Sequence, residues 1–399
     1  MTKKTTVWLC ICTAVIFAVI AAGGTYFIMK QAQKDDLYVA GEGYSRLMEF
    51  FELDDISGLI DKSYYREVEL EQLLEGALEG VIENLGDGYS RFYPEKYFQY
   101  FDENTEGSYI AQGMLVDKDD ETGYVIVNHV FADTPAFEQN IVAGNYITAI
   151  DGMDTRDMDA ESAVSCLRGK NGVDITLDVL AGDSDIQLTF VRKSANTQVV
   201  FSDMLENGVG YIDIMEFSGS SESDFKKALK TMTDENAQAI IIDIRNVPGG
   251  YISQASAVAD MLIESGDIYT TKGRDNSVFT ISAKSGTETT LPIYLIVNEE
   301  TKGVAEVFAA ALKENGVAKV IGTQTYGKGV VMATLQVPNS GDGVRIVSAF
   351  YLSPKGNSIN ETGVMPDEIV ETEGIVSEDQ QSDVQLEKAL EMALADLEQ

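Results

Sequence analysis

The chain is poor in histidine and cysteine, the side chains on which many nucleophilic and metal centres rely. Its only histidine is His129, so a centre built from several imidazoles is excluded. Any Ser-His or Cys-His pairing would have to use that residue. His129 lies in Tyr124–Val130, whose alternation reads as a strand, and a structural or surface role is expected for it rather than that of a base. Three cysteines are present. Cys10 and Cys12 sit too close together in an apolar run to bridge each other, and Cys166 has no near partner. No disulfide framework, metal site or cofactor is therefore expected. Gly327-Lys328-Gly329 is a turn followed by Val330 and Val331, a setting that would partly bury Lys328. Burial lowers a lysine pKa, because the cation loses solvation, and leaves an amine able to take up a proton. The plainer reading is an ordinary turn lysine.

The elements that would position these residues fall into blocks. The 399 residues leave room for about two or three domains. The formal charge is -36, from 65 Asp and Glu against 29 Lys and Arg. Such a surface repels phosphate backbones, and nucleic-acid binding is not expected. Val7 to Met29 is uncharged and mostly apolar, and its 23 residues (29 − 7 + 1) would cross a bilayer as a helix. The expectation is a single-pass membrane anchor at 7–29, a cytoplasmic tail at 1–6, and the bulk of the chain extracytoplasmic. A cleaved signal peptide ending near Ala21-Ala22-Gly23 is the rival.

Residues 35–106 read as helical, with Leu70, Leu73, Leu74, Ala77 and Leu78 near the 3.6 period. Residues 107–194 show short alternating strands, with turns at Asp151-Gly152 and Gly169–Gly172 and one helix at Ala160–Leu167. Residues 200–372 alternate buried-strand runs, such as Ala239–Ile244 and Ile293–Val297, with helical patterns at Asp224–Met232, Gln254–Ile263 and Val304–Lys313. That order argues for an α/β layer. A helical segment closes the chain at 378–399.

Five stretches in this order resemble the carboxyl-terminal processing (tail-specific) serine peptidases. Gly86-Asp87-Gly88-Tyr89-Ser90-Arg91-Phe92 resembles the segment before that family's PDZ domain. Asp133-Thr134-Pro135-Ala136, followed by Ala143 to Gly152, is similar to a PDZ pattern. Arg245-Asn246-Val247-Pro248-Gly249-Gly250 resembles the R-x-N-P-G-G turn, and Thr325-Tyr326-Gly327-Lys328-Gly329 the TFGKG motif. Pro354 to Ile359, with Gly363 to Asp367, resembles the family's ending. The resemblance implies an α/β core (a peptidase-like mixed sheet with helices), a β-rich PDZ domain and a helical N-terminal region, to which the anchor adds one transmembrane helix.

The resemblance also implies a Ser-Lys mechanism, in which a serine attacks the peptide carbonyl and a lysine takes its proton. Lys328 falls on the general-base position. Anchoring Asn298 and Glu306 on the family's serine run puts the nucleophile position on Gly303, 25 residues (328 − 303) before the lysine. Glycine can form no alkoxide. The orienting glutamine becomes Met332, whose thioether is a poor partner for an amine, and the asparagine before Pro-Gly-Gly becomes Val247. Gly249 and Gly250 remain as candidate oxyanion amides, and a helix N-terminus remains at Val304. Lys302 is no nucleophile for peptide hydrolysis, and Thr301 sits two residues early.

The PDZ resemblance assigns peptide capture as an added strand to Ala111, Gln112, Gly113, Met114 and Leu115. There Ala111 and Gln112 depart from Gly-Ile. Two functions stand: a non-catalytic relative that binds protein or peptide C-termini, and an active serine-type or threonine-type tail-specific endopeptidase with a displaced nucleophile. A homo-oligomer or an active partner protease is left open.

Overall fold

The computed structural model describes residues 44–101, 110–193, 197–284, 286–371 and 383–398. The chain divides into two units, one ending at Val81 and one beginning at Ile82. The first holds helix α1, Tyr44–Ser63, and most of helix α2, Leu70–Glu83. Leu70, Leu74, Leu78 and Val81 of α2 follow the helical period but are exposed.

Among the described residues the second unit contains three sheets. Strand β1, Arg91–Tyr93, comes first. It lies inside the stretch that reads as helical, and three residues are too few to register as a period. Phe92 pairs with Val344 in the core, and the buried Tyr93 donates its hydroxyl to Asp159 at 2.8 Å. Next comes an antiparallel sheet made of β2 (Ile110–Ala111), β3 (Met114–Lys118), β4 (Val125–Val130), β5 (Tyr146–Ile150), β6 (Met153–Asp154), β7 (Asp174–Ala181) and β8 (Ser184–Val191). Its order is β2-β3-β4-β5-β7-β8, with β6 paired to β5. Helix α3, Ala160–Arg168, covers it. Asp159 caps α3 by accepting from Ser162 N at 2.7 Å, and Gly169 ends it. Met114, Val127, Ile147, Ile175 and Leu177 pack with Cys166 and Leu167 of α3 to form the core of this domain.

The α/β layer follows with β9 (Val200–Met204), β10 (Val209–Ile214), helix α4 (Ser221–Asp234), β11 (Ala239–Asp243) and helix α5 (Ile252–Asp260). Then come β12 (Asp267–Gly273), β13 (Val278–Ser282), β14 (Ile293–Val297), helix α6 (Val304–Glu314), β15 (Ala318–Gly322), β16 (Val330–Gln336), β17 (Gly343–Leu352), β18 (Glu368–Ile369) and helix α7 (Val384–Leu397). The central sheet runs β18-β15-β14-β11-β10-β9, parallel except for the β9 edge. Strands β11 and β14 are buried throughout because both faces of the sheet are covered. Ile240, Ile242 and Leu295 meet α4, α5 and α6 on one face, while Ile241, Tyr294 and Ile296 meet α7 on the other. A second core sheet, β1-β17-β12-β13 with β16 beside β17, is antiparallel.

One part of the expected fold is corrected. Among the described residues no helix is long and apolar enough to cross a membrane, so the fold contains no transmembrane helix there. Residues 7–29, on which that expectation was placed, lie outside the described residues, as do Cys10 and Cys12.

Candidate active site

The site is assembled around the start of α6. Gly303 is the residue before the helix, with φ 61° and ψ −121°, a conformation that glycine adopts without strain and other residues resist. A side chain at this point would find room, since its Cβ would meet only Gly249 Cα, at 4.0 Å. The Pro-Gly-Gly turn therefore faces Gly303. Gly250 is more constrained, because a Cβ there would lie 2.4 Å from the Phe217 carbonyl oxygen. Only glycine lets this turn pack so close to that backbone.

Glu306 holds the arrangement together. It is fully buried and lies three residues into α6, where it reaches back to accept from Gly303 N at 3.0 Å, as in the second half of a capping box. It also accepts from Thr325 Oγ1 at 2.6 Å, Gly327 N at 2.6 Å and Lys328 N at 2.7 Å. Burial raises its pKa, opposed by the bonds from Thr325, Gly327, Lys328 and Gly303. One carboxylate thus ties the backbone of the Gly-Lys-Gly turn to the backbone of Gly303.

A second clasp fixes the Pro-Gly-Gly turn. Asn298 Oδ1 accepts from Asn246 N at 2.9 Å, and Asn298 Nδ2 donates to Asn246 Oδ1 at 2.8 Å. Thr301 is buried beneath it. Its hydroxyl donates to the Ile244 carbonyl at 2.9 Å and accepts from Asn298 N at 3.1 Å, so it braces the loop from within. Val247 is fully buried, and its carbonyl accepts from Lys302 N at 2.9 Å. Lys302 pairs with Glu300 at 2.6 Å and stands 4.7 Å from the Tyr326 ring centre. Burial pulls its pKa down, but Glu300 and Asp117 outweigh that and leave it raised.

The Lys328 side chain turns toward the β-rich domain. Its Nζ donates to Glu161 Oε1 of α3 at 3.1 Å, beside the Tyr89 ring. Arg345 Nη1, from β17, donates to the other oxygen of the same carboxylate. Met332 lies in β16 at a register shift opposite Val347, half-buried. The structure therefore brings Gly303, Gly249 and the Lys328 backbone together, whereas the Lys328 amine is engaged by a residue 167 positions away in sequence. Glu161 and Arg345 leave no local signal in the sequence. Glu306 leaves one, since an acidic residue three positions after a helix start is the capping-box pattern.

In the β-rich domain Gln112 occupies the turn between β2 and β3 with φ 56°. Its side chain is buried. Nε2 donates to the Leu167 and Arg168 carbonyls at 3.1 and 3.3 Å, and Oε1 accepts from Lys193 N. Ala111 and Met114 are buried around it, Gly113 packs on Thr134, and Leu115 is opposite His129. Gln112 thus caps the end of α3. His129 rests edge-on against Phe131, and burial lowers its pKa. Cys166 is buried, and its thiol is pushed up to about 12 by burial, which leaves it inert at neutral pH. No cluster of side chains able to hold a metal occurs among the described residues.

A cleft of about 930 Å³ runs between β3 and β4 and the C-terminal ends of β10 and β11. Asp117, Asp213, Pro248 and Lys302 are among the residues lining it. Asp213 lies beside Asp243 in register, and burial, then Asp243, raise its pKa to about 6 against the pull of Arg245.

Comparison with known proteins gives a consistent result. Residues 208–370 match peptidase family S41, residues 110–180 a PDZ domain, and residues 18–105 the activating protease CtpB N-terminal domain. The chain is 29% identical over 353 residues to carboxy-terminal processing protease CtpA of Bacillus subtilis (strain 168), which spans 88% of this chain and 74% of that one. It is 30% identical over 327 residues to a carboxyl-terminal-processing protease of a Picosynechococcus species, over 80% of this chain and 79% of that one. Among solved structures, the photosystem II D1 C-terminal processing protease matches with a TM-score of 0.55 at 21% identity. That match covers 80% of this chain and 86% of that one, and it is a likeness of fold.

Proposed function

The chain belongs to the carboxyl-terminal-processing protease family, and from that premise we propose that it takes hold of protein C-termini through its PDZ domain without cutting them. The observation that carries this reading is Gly303. It stands at the start of α6, against Gly249 and tied through Glu306 to the Lys328 backbone, in the position where the family resemblance calls for an attacking hydroxyl. It offers only hydrogen. Nucleophilic catalysis needs a nucleophile within hydrogen-bond reach of its base. Thr301, the nearest hydroxyl in sequence, is spent on the Ile244 carbonyl beneath the loop. Met332 cannot orient an amine as a carboxamide would. The Lys328 amine is turned to Glu161.

The full chain, incubated with an unfolded substrate bearing an apolar C-terminus, is expected to leave it intact by mass spectrometry. Cleavage that disappears in Lys328→Ala would overturn the reading. The double variant Gly303→Ser with Met332→Gln is expected to acquire slow, Lys328-dependent cleavage. The backbone already leaves room for the new side chain, and the positive φ costs about 1–3 kcal/mol. A double variant that is folded and still inert would show that the site has lost more than its hydroxyl.

A further inference from the structure

Two cations of the peptidase core converge on one carboxylate that does not belong to the core. Lys328 Nζ donates to Glu161 Oε1 and Arg345 Nη1 to Glu161 Oε2, with side-chain exposures of 21%, 13% and 20% for Lys328, Arg345 and Glu161. The geometry is that of a carboxylate receptor: one point cation, one planar guanidinium, and aromatic walls on either side. The Tyr89 ring centre lies 5.8 Å from Lys328 Nζ, and the Phe101 ring centre 5.7 Å from Arg345 Cζ. The receptor is also only partly used. A guanidinium grips a carboxylate best with two parallel N–H groups, yet Arg345 Nε is buried with no hydrogen-bond partner among the described residues. A buried donor left in that state is destabilising, and a better-placed carboxylate would satisfy it.

We propose that Lys328 and Arg345 form a carboxylate-binding site on the core, distinct from the PDZ groove, which takes the α-carboxylate of a peptide in exchange for Glu161. This rests on the reading that the chain holds C-termini. Glu161 is then a tethered stand-in for the ligand. It sits in the first turn of α3, and a tether of this kind competes at an effective concentration on the order of millimolar. An incoming peptide must displace it. The apolar side chains next to the peptide terminus would lie against Tyr89 and Phe101.

The test uses the full chain and a fluorescein-labelled peptide ending in alanines, made with a free C-terminal carboxylate and as the C-terminal amide. Binding is read by anisotropy. Removing the tethered competitor in Glu161→Gln is expected to tighten the free acid about tenfold or more and leave the amide unchanged. Arg345→Met is expected to weaken the free acid, and in the double variant to cancel the gain. The same comparison in Glu161→Leu serves if the glutamine variant does not fold. Arg345→Met breaks the same contact from the other side. If it tightens the free acid as Glu161→Gln does, contact release alone is responsible and the proposed site is wrong. An equal gain for the amide refutes it as well. Peptide binding to the wild type with no gain in Glu161→Gln sinks this inference alone. Absence of binding to every variant sinks it together with the reading of the PDZ domain.

Discussion

Two glutamates reach the loop that carries Lys328, and they hold it in different ways. Glu306 comes from within the peptidase core, is fully buried, and accepts from three backbone amides and a threonine hydroxyl. Glu161 comes from the PDZ domain, is a fifth exposed, and faces two charged side chains. Neutral amides aimed at a buried carboxylate cannot be replaced by water without opening the core. Two cations near the surface can exchange one carboxylate for another or for solvent. The backbone of the loop is thus fixed independently of what its lysine touches, and the framework can persist whether or not the chemistry does.

The largest effect should come from the buried partner. Glu306→Ala orphans four donors, and a loss of about 3–5 kcal/mol in urea unfolding is expected. A loss below about 1 kcal/mol would break the contrast. A third carboxylate sharpens it. Asp213 is pushed to about 6 by burial and by Asp243. Its folded pKa lies above the unfolded value of 3.8, so its contribution to stability is fully present below the unfolded value and is lost as pH rises through the folded one. Asp213→Asn should therefore be more stable than wild type at alkaline pH, by about 1–2 kcal/mol after allowing for partial exposure, with the gain gone at acid pH. A gain that persists at acid pH would contradict this. A smaller effect belongs to Glu161→Gln, whose contact is a fifth exposed, so that water can reach the two cations it leaves; the loss should be about 1–2 kcal/mol, below that of Glu306→Ala. A loss as large as that of Glu306→Ala would mean that the two glutamates are equivalent.

Much of this could be read in the residues. The buried runs Ala239–Asp243 and Ile293–Val297 and the helices that separate them announced the α/β layer. The ordered motifs, from Tyr89-Ser90 to Pro366-Asp367, announced the family. Strand β1 escaped because three residues carry no period, and the sheet of β12, β13, β16 and β17 because its strands are half-exposed and amphipathic. Gln112 departs from the family's Gly-Ile, and nothing next to it in sequence tells that its amide caps the last carbonyls of α3. The partners of Lys328 were beyond reach. A contact between positions 161 and 328 depends on how two domains meet, and no local spacing encodes it.

Helix α7 has a consequence for how the protein is made. It covers Ile241, Tyr294 and Ile296 on one face of the central sheet, and Arg245 clamps its start by bonding both Asp243 and Asp383. Those strands leave the ribosome well before Val384–Leu397 does. During synthesis a greasy sheet face therefore waits, bare, for its lid, and that interval is when this chain is most exposed to sticking to its neighbours.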